Sequence, residues 1–354
     1  MYCKNHCNTG HRIARLQRGF SLIELMVAMT VGLIVLGGLT RIYVGSKNAY
    51  TVQDEMGKLQ ENGRFAEEFI AFDVRMAGFQ GCGNLFRTRP NIIATPPPSQ
   101  PLTADNAIVG YEWDTASGTR LPALPAALTA DLGPVQAGTD VVTIQRGNEC
   151  GATLTGNMGA NTADVQVTAP NSCGFAQDQY LMITDCRTAD IFRASSASNG
   201  AGTQTIAHAS NVNIDDRLSK DYQADAQVYR FTSVTYYIAP GTDGRPALWR
   251  YTEGGAADLD EELVPGAEDL QVLYGEDLDN NQAAERYLSA NSVAMGKVTS
   301  VRIALLMQSA STRVALDRQQ YTYNDQTLNA ADGRLRRTFT AVVNLRNRTL
   351  NTPN

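Results

Sequence analysis

One uninterrupted apolar run dominates the hydrophobic pattern. From Phe20 to Thr40 the chain reads FSLIELMVAMTVGLIVLGGLT, 21 residues with a single charge, Glu24, before Arg41 closes the run. As a helix it rises about 31 Å, enough to cross a bilayer core. Residues 42–78 contain no proline and change rhythm. Val52, Met56, Leu59, Ala66, Phe69 and either Phe72 or Met76 recur at spacings of three, four or their sum, with charged residues between them. That spacing predicts an amphipathic helix, ended by the glycines at 78, 81 and 83. If the two halves join, the spine has about 59 residues and a length of about 88 Å. Asn62-Gly63 marks a position where a kink or a close backbone contact is expected.

Beyond a proline-rich stretch at 90–101 the pattern becomes short and β-like. Runs rich in Val, Ile, Tyr and Thr fall near 107–113, 139–146, 163–168, 179–185, 226–239, 246–251, 269–275, 297–308 and 336–346. Turn residues bound nearly all of them, and Gly241-Thr242-Asp243-Gly244 reads as a hairpin turn. The Ser-, Ala-, Asn- and Gly-rich segment from Ser195 to Asn213 reads as a weakly structured excursion. The fold class expected is therefore α+β: a long N-terminal helical spine, half membrane-spanning and half amphipathic, packed on a large, mostly antiparallel β head.

Charge divides the chain the same way. The 30 Lys and Arg against 36 Asp and Glu give −6 overall, but residues 1–19 hold Lys4, Arg12, Arg15 and Arg18 and no acid, leaving −10 for the remainder. A basic flank ahead of the apolar run predicts a short cytoplasmic leader and an exported, acidic body. Such a body argues against nucleic-acid partners. A secretory signal peptide competes for the same residues, but the run is long for an h-region and carries a carboxylate near its start. Of three histidines only His208 lies in the body, which removes a multi-imidazole zinc site.

Gly19-Phe20-Ser21-Leu22-Ile23-Glu24, preceded by Arg18, resembles the processing motif of type IV prepilins and type II secretion pseudopilins. The segment LQENGRFA from Leu59, the stretch Asp73-Val74-Arg75-Met76-Ala77-Gly78-Phe79 and the closing RRTFTAVVNLRNR from Arg336 narrow that resemblance to the PilW-type minor pilins, with J-type pseudopilins as near relatives. The resemblance implies a type IV pilin-like fold with four parts: a cleaved basic leader at 1–19, a transmembrane or filament-core helix at 20–41, the amphipathic half of the spine at 42–78, and a β-rich periplasmic or extracellular head at 79–354. It further implies that a prepilin peptidase cuts after Gly19 and methylates Phe20, that Glu24 docks on the amino terminus of a neighbouring subunit, and that Val27, Val31, Ile34 and Leu36 pack against neighbouring helices. The implied function is non-enzymatic: a minor pilin that joins a priming or tip complex to start pilus assembly and helps to present a tip adhesin. The implied partners are other minor pilins, the major pilin, the prepilin peptidase and the inner-membrane assembly platform. Its implied location is the bacterial inner membrane, then the pilus tip.

Four cysteines of the body, Cys82, Cys150, Cys173 and Cys186, would meet an oxidising compartment and allow three connectivities. A hairpin over 151–168 would bring Cys150 near Cys173 and leave Cys82 for Cys186, a bridge that would resist pulling load; this is the preferred pairing of the three. No cofactor is expected. Asp277, Asp279, Asn281 and Glu285 offer oxygen ligands at the alternate positions where calcium loops begin, but Gln282 and Leu288 depart from that pattern, and a solvated acidic loop is the simpler reading. The different-class alternative is an anchored periplasmic hydrolase using acid pairs such as Asp215-Asp216 or Glu261-Glu262.

Overall fold

The computed structural model describes residues 19–347 apart from 86, 104, 256, 313 and 315–318. Residues 1–18 of the expected leader, with Cys3 and Cys7, and the last seven residues lie outside the described residues. A single helix, Leu22–Met76, runs through the apolar run and the amphipathic stretch. The chain divides into two compact units at Gln53/Asp54, so the helix contributes to both.

The first unit is helix with bare sides. Its apolar window is long enough to cross a membrane, and none of it is buried by the rest of the chain. Thr30 and Thr40 return their hydroxyls to the carbonyls of Met26 and Leu36, which satisfies polar groups that lipid could not. The helix passes through Gly32, Gly37 and Gly38 without interruption.

In the second unit the helix buries Leu59, Gly63, Ala66, Ile70, Val74 and, between them, Asp73. This differs from the stripe expected from spacing. Phe72 is 41% exposed and Phe69 only half-buried, each with a guanidinium over its ring, from Arg146 and Arg250 respectively. The apolar face of this segment is wider than the surface it covers, so periodicity admits two neighbouring rows. The two rows share Leu59 and Ala66, and the one actually buried continues through Gly63, Ile70 and Val74. Gly63 resolves the Asn62-Gly63 expectation: the helix does not break, and a Cβ there would lie 2.2 Å from Cε2 of Phe339. Gly78 then stops the helix at φ +72°, giving its N–H to the carbonyl of Gln145.

The largest sheet is organised around Gln227–Pro240, long enough to serve several neighbours. Val141–Thr153 pairs along one side of it, while Tyr180–Thr184 and Pro246–Glu253 pair with the first and second halves of the other. The Gly241–Gly244 turn joins two of these strands as expected. A second sheet has the order Arg286–Leu288, Ala267–Glu276, Val298–Gln308, Arg336–Asn344, all antiparallel. The single parallel pairing among the described strands joins Asn91–Ile92 to Ala189–Arg193.

The excursion expected at Ser195–Asn213 is corrected. Ser196–Asn199 and Thr203–Ala207 form a three-stranded sheet with Val165–Thr168. Polar composition concealed a one-sided strand: Gln204 and Ile206 alternate inward, Ile206 joining Val165, Val167 and Phe192 in an apolar cluster. The hairpin Gln320–Tyr323/Gln326–Asn329 and the strand Leu259–Pro265 are further elements that the apolar pattern did not mark.

Because Phe339 fills the space over Gly63, Gly63→Ala is expected to lower stability by about 1–3 kcal/mol, read from urea unfolding. Phe339→Leu in the same chain should recover part of that loss; equal midpoints for wild type and Gly63→Ala would contradict the contact.

Candidate functional site

Two sets of residues command interest, one at each end of the helix. At the N-terminal end Gly19 and Phe20 precede the first turn, Phe20 being 83% exposed. The carbonyl of Ser21 accepts the N–H groups of Glu24 and Leu25 and so starts the helix. Glu24 lies in that first turn, where the positive end of the helix dipole favours a carboxylate. Among the described residues its side chain is exposed and has no hydrogen-bond or ionic partner. Val27, Val31, Ile34 and Leu36 are all more than half exposed. An apolar surface this continuous is stable only against lipid or other protein. A lone carboxylate within it costs about 2.5–3.5 kcal/mol at a membrane centre and less near an interface.

The second set holds the helix to the head. Asp73, on the buried face, receives Nε and Nη2 of Arg146 at 2.9 and 2.7 Å on one oxygen and the hydroxyl of Tyr236 at 2.6 Å on the other. Arg146 comes from Val141–Thr153 and Tyr236 from Gln227–Pro240, so the helix is fixed to the two central strands of the large sheet. Burial, and then the adjacent Asp73 charge, push the Tyr236 hydroxyl well above its ordinary range, which keeps it a proton donor. Five turns earlier Glu55 is buried, accepting the N–H groups of Ala310 and Ser311 at 2.9 and 3.3 Å. Sequence reading missed these residues. The available signal was an acid at 73 interrupting the apolar row between Ile70 and Val74.

The cysteines form Cys82–Cys186 and Cys150–Cys173, the pairing favoured by the hairpin argument. Cys82 lies just past the helix end, so the first bridge ties that end to the turn after Tyr180–Thr184. Closing loops of 104 and 23 residues restrains the unfolded chain by about 4.7 and 3 kcal/mol in the chain-entropy account.

Asp277, Asp279 and Glu285 do converge, with carboxylate oxygens within 4.8 Å of one another. Asp277 is buried and accepts the N–H groups of Asn280, Asn281 and Gln282, while Glu285 accepts that of Leu278. The Asn281 side-chain oxygen is turned to the N–H of Ala283. Gln282 adopts φ +72°, the conformation a turn glycine would supply. The loop is thus organised by its own amides. The acid pairs considered for hydrolysis also have structural partners: Glu261 pairs with Arg250, Glu262 accepts the N–H of Thr242, and Asp215 that of Arg217. His208 is buried, with Nε2 2.9 Å from the carbonyl of Ala163.

One titrating cluster joins the two main sheets. Asp140 accepts the N–H groups of Trp113 in Ile108–Asp114 and Val272 in Ala267–Glu276. Glu112 lies within hydrogen-bond reach of it, with Arg120 nearby. Burial, then the Asp140 charge, raises Glu112 to about 7; burial raises Asp140 to about 6 despite its two amide donors.

Against this geometry the comparisons with known proteins are informative. The family model of Type IV Pilus-assembly protein W matches residues 235–347, and that of the Prokaryotic N-terminal methylation motif matches residues 14–40. The chain matches no curated protein and no solved structure. The N-terminal methylation motif, an exposed apolar helix and an antiparallel β region together support a minor pilin of the type IV pilus in general. Within that class, the similarity is to PilW-type proteins. The matched C-terminal region contains Tyr236, Phe339 and all of the second sheet, the parts that receive the helix.

Asp73→Ala leaves Arg146 buried without its counter-charge and is expected to cost about 3–5 kcal/mol. Joint replacement, Asp73→Leu with Arg146→Met, should recover most of that in the same urea titration. A second prediction concerns pH. Glu112 and Asp140 bind protons more tightly when folded than at their unfolded values of 4.5 and 3.8. Their stabilisation is therefore complete below about pH 4 and lost as pH rises through 6 and 7. Glu112→Gln should flatten the fall in urea midpoint between pH 5.5 and 8, an effect of about 1 kcal/mol after solvent screening; an unchanged slope would remove the assignment.

Proposed function

We propose that this minor pilin is made as an inner-membrane prepilin, cut after Gly19 and methylated on Phe20, and then packed with other minor pilins into a priming or tip complex that starts pilus assembly. The observation that carries this reading is the pairing of the processing motif with a helix whose apolar surface finds no cover among the described residues. In this reading Glu24 meets the free amino terminus of a neighbouring subunit. Two charges that are each costly in an apolar medium become one ion pair, which sets axial register as the subunit enters the filament. Val27, Val31, Ile34 and Leu36 exchange lipid for helices of other minor pilins and the major pilin. The glycines at 32, 37 and 38, with open space where a Cβ would be, let those helices approach closely.

The head follows the leader's charge bias into the periplasm and, after assembly, reaches the pilus tip. Its size, roughly 275 residues after the spine, favours an end position over the shaft, where neighbours would crowd it. At the tip it would help to hold an adhesin. No step in this role requires catalysis or a cofactor.

Intact mass of the purified mature protein tests the processing step: a chain beginning at N-methylated Phe20 is expected, and one beginning at Met1 or beyond Gly38 overturns it. Gly19→Ala should accumulate as the uncut form. Glu24→Ala should be cut and inserted yet fall by at least tenfold in sheared pili, and incorporation at wild-type level would sink the docking role. Gene deletion should abolish twitching motility; loss of exoprotein secretion with motility intact would assign the chain to a J-type pseudopilus instead.

A further inference from the structure

Arg336–Asn344 is the last strand of the second sheet, paired on one side only, with Val298–Gln308. The direction of its backbone groups can be read from its ends. The carbonyl of Leu335 accepts from Ser309, and the N–H of Leu345 donates to Thr299. The N–H and carbonyl of Arg336 instead meet the side chain of Gln319, on the other side. Strand alternation then directs the main-chain groups of Thr338, Thr340, Val342 and Asn344 away from the sheet. The hairpin Gln320–Tyr323/Gln326–Asn329 reaches as far as Thr338, whose hydroxyl donates to Thr322. Thr340, Val342 and Asn344 have no backbone partner on that edge among the described residues. None of the usual protections is present from Phe339 to Asn344: no proline, no lysine, no bulge, and Val342 is 57% exposed.

The open edge borders a groove of ≈ 520 Å³ whose opposite wall is the helix, through Arg64, Glu67, Glu68 and Arg75. None of these four charges is ion-paired among the described residues. The floor is small, Ala71 and Val343. An extended chain lying there would pair with the three free residues. Its alternate side chains would face the helix wall on one side and Val342 on the other. The wall has two acids at its centre and a guanidinium toward each end. Arg64 and Arg75 are about 16 Å apart along the helix, and two side chains on one strand face four residues apart are separated by about 13 Å, a gap that arginine side chains can close.

We propose that this edge is a strand-addition site for another protein chain. The occupant is an extended segment with a basic residue flanked by two acids on one face and β-branched residues on the other. The site is built by the closing strand and the head-bound half of the helix, and it stands whether or not Glu24 docks in a filament.

The probe is the peptide Thr-Val-Glu-Val-Lys-Val-Glu-Val-Thr, added to the full mature chain in detergent micelles and followed by residue-resolved amide hydrogen exchange. Slowed exchange at Thr340, Val342 and Asn344 is expected, with an affinity at least fivefold above that of the charge-swapped peptide Thr-Val-Lys-Val-Glu-Val-Lys-Val-Thr. Joint Glu67→Lys and Glu68→Lys substitution, on the solvent side of the helix, should reverse that preference. Val342→Pro, which removes an N–H that no strand among the described residues uses, should abolish protection while leaving the far-UV circular dichroism unchanged. No protection of these three amides, equal binding of the two peptides, or binding retained in a folded Val342→Pro chain would each overturn the proposal. So would concentration-dependent protection without peptide, which would show a second copy closing the edge.

Discussion

The buried carboxylate of Asp73 fixes how the helix lies on the head. Its two oxygens are divided between Arg146 and Tyr236, on adjacent strands of the large sheet, so one side chain sets both the rotation and the axial position of the helix segment from Asp54 onward. A helix held only by apolar contacts could turn by a fraction of a residue at little cost, because Phe65, Phe69 and Phe72 offer a second apolar row beside the buried one. An unpaired ion in the interior would cost several kcal/mol, which is more than either row gains over the other. With rotation decided at Asp73, Gly63 comes under Phe339, Glu55 meets the amides of Ala310 and Ser311, and Gly78 reaches the carbonyl of Gln145.

This explains which parts of the molecule could be read from sequence. The membrane-length run and the processing motif are local, so their physics is fully expressed in consecutive residues. The β runs were legible for the same reason, since short runs rich in Val, Ile, Tyr and Thr between turn residues need no knowledge of partners. The cysteine pairing followed from one hairpin. The buried row of the helix was legible only in part: spacing marked Leu59 and Ala66, but it continued to Phe69 and Phe72 where the structure, fixed by an ion pair with a strand 73 residues away, buries Ile70 and Val74. The small sheet containing Ile206 was lost in polar composition. The acidic loop at Asp277 looked like ligand spacing because amides that satisfy carboxylates need the same alternate positions that a hard cation would.

The two family matches fall on opposite ends of the chain and on the two physical tasks of the molecule. One end carries the processing motif and the apolar surface. The other supplies the sheet that receives the helix and the strand whose outer edge is open. Between them lie the disulfide-bonded strands and the small sheet, where similarity is not detected. Residues 235–347 contain Phe339 and Tyr236, which receive Gly63 and one oxygen of Asp73. Arg146, which takes the other oxygen, and the Cys82–Cys186 bridge lie in the intervening region.

The placement of Phe339 over Gly63 also has a consequence in time. Synthesis delivers the helix long before the strand that covers it; Glu55 and Ala310, which bond across the same contact, are 255 residues apart. Until the second sheet is made, Gly63 and Glu55 lack their partners Phe339 and Ala310, while Asp73 can already find Arg146 and Tyr236. The order of emergence leaves that part of the helix to wait for Arg336–Asn344, the strand whose arrival closes the contact over Gly63.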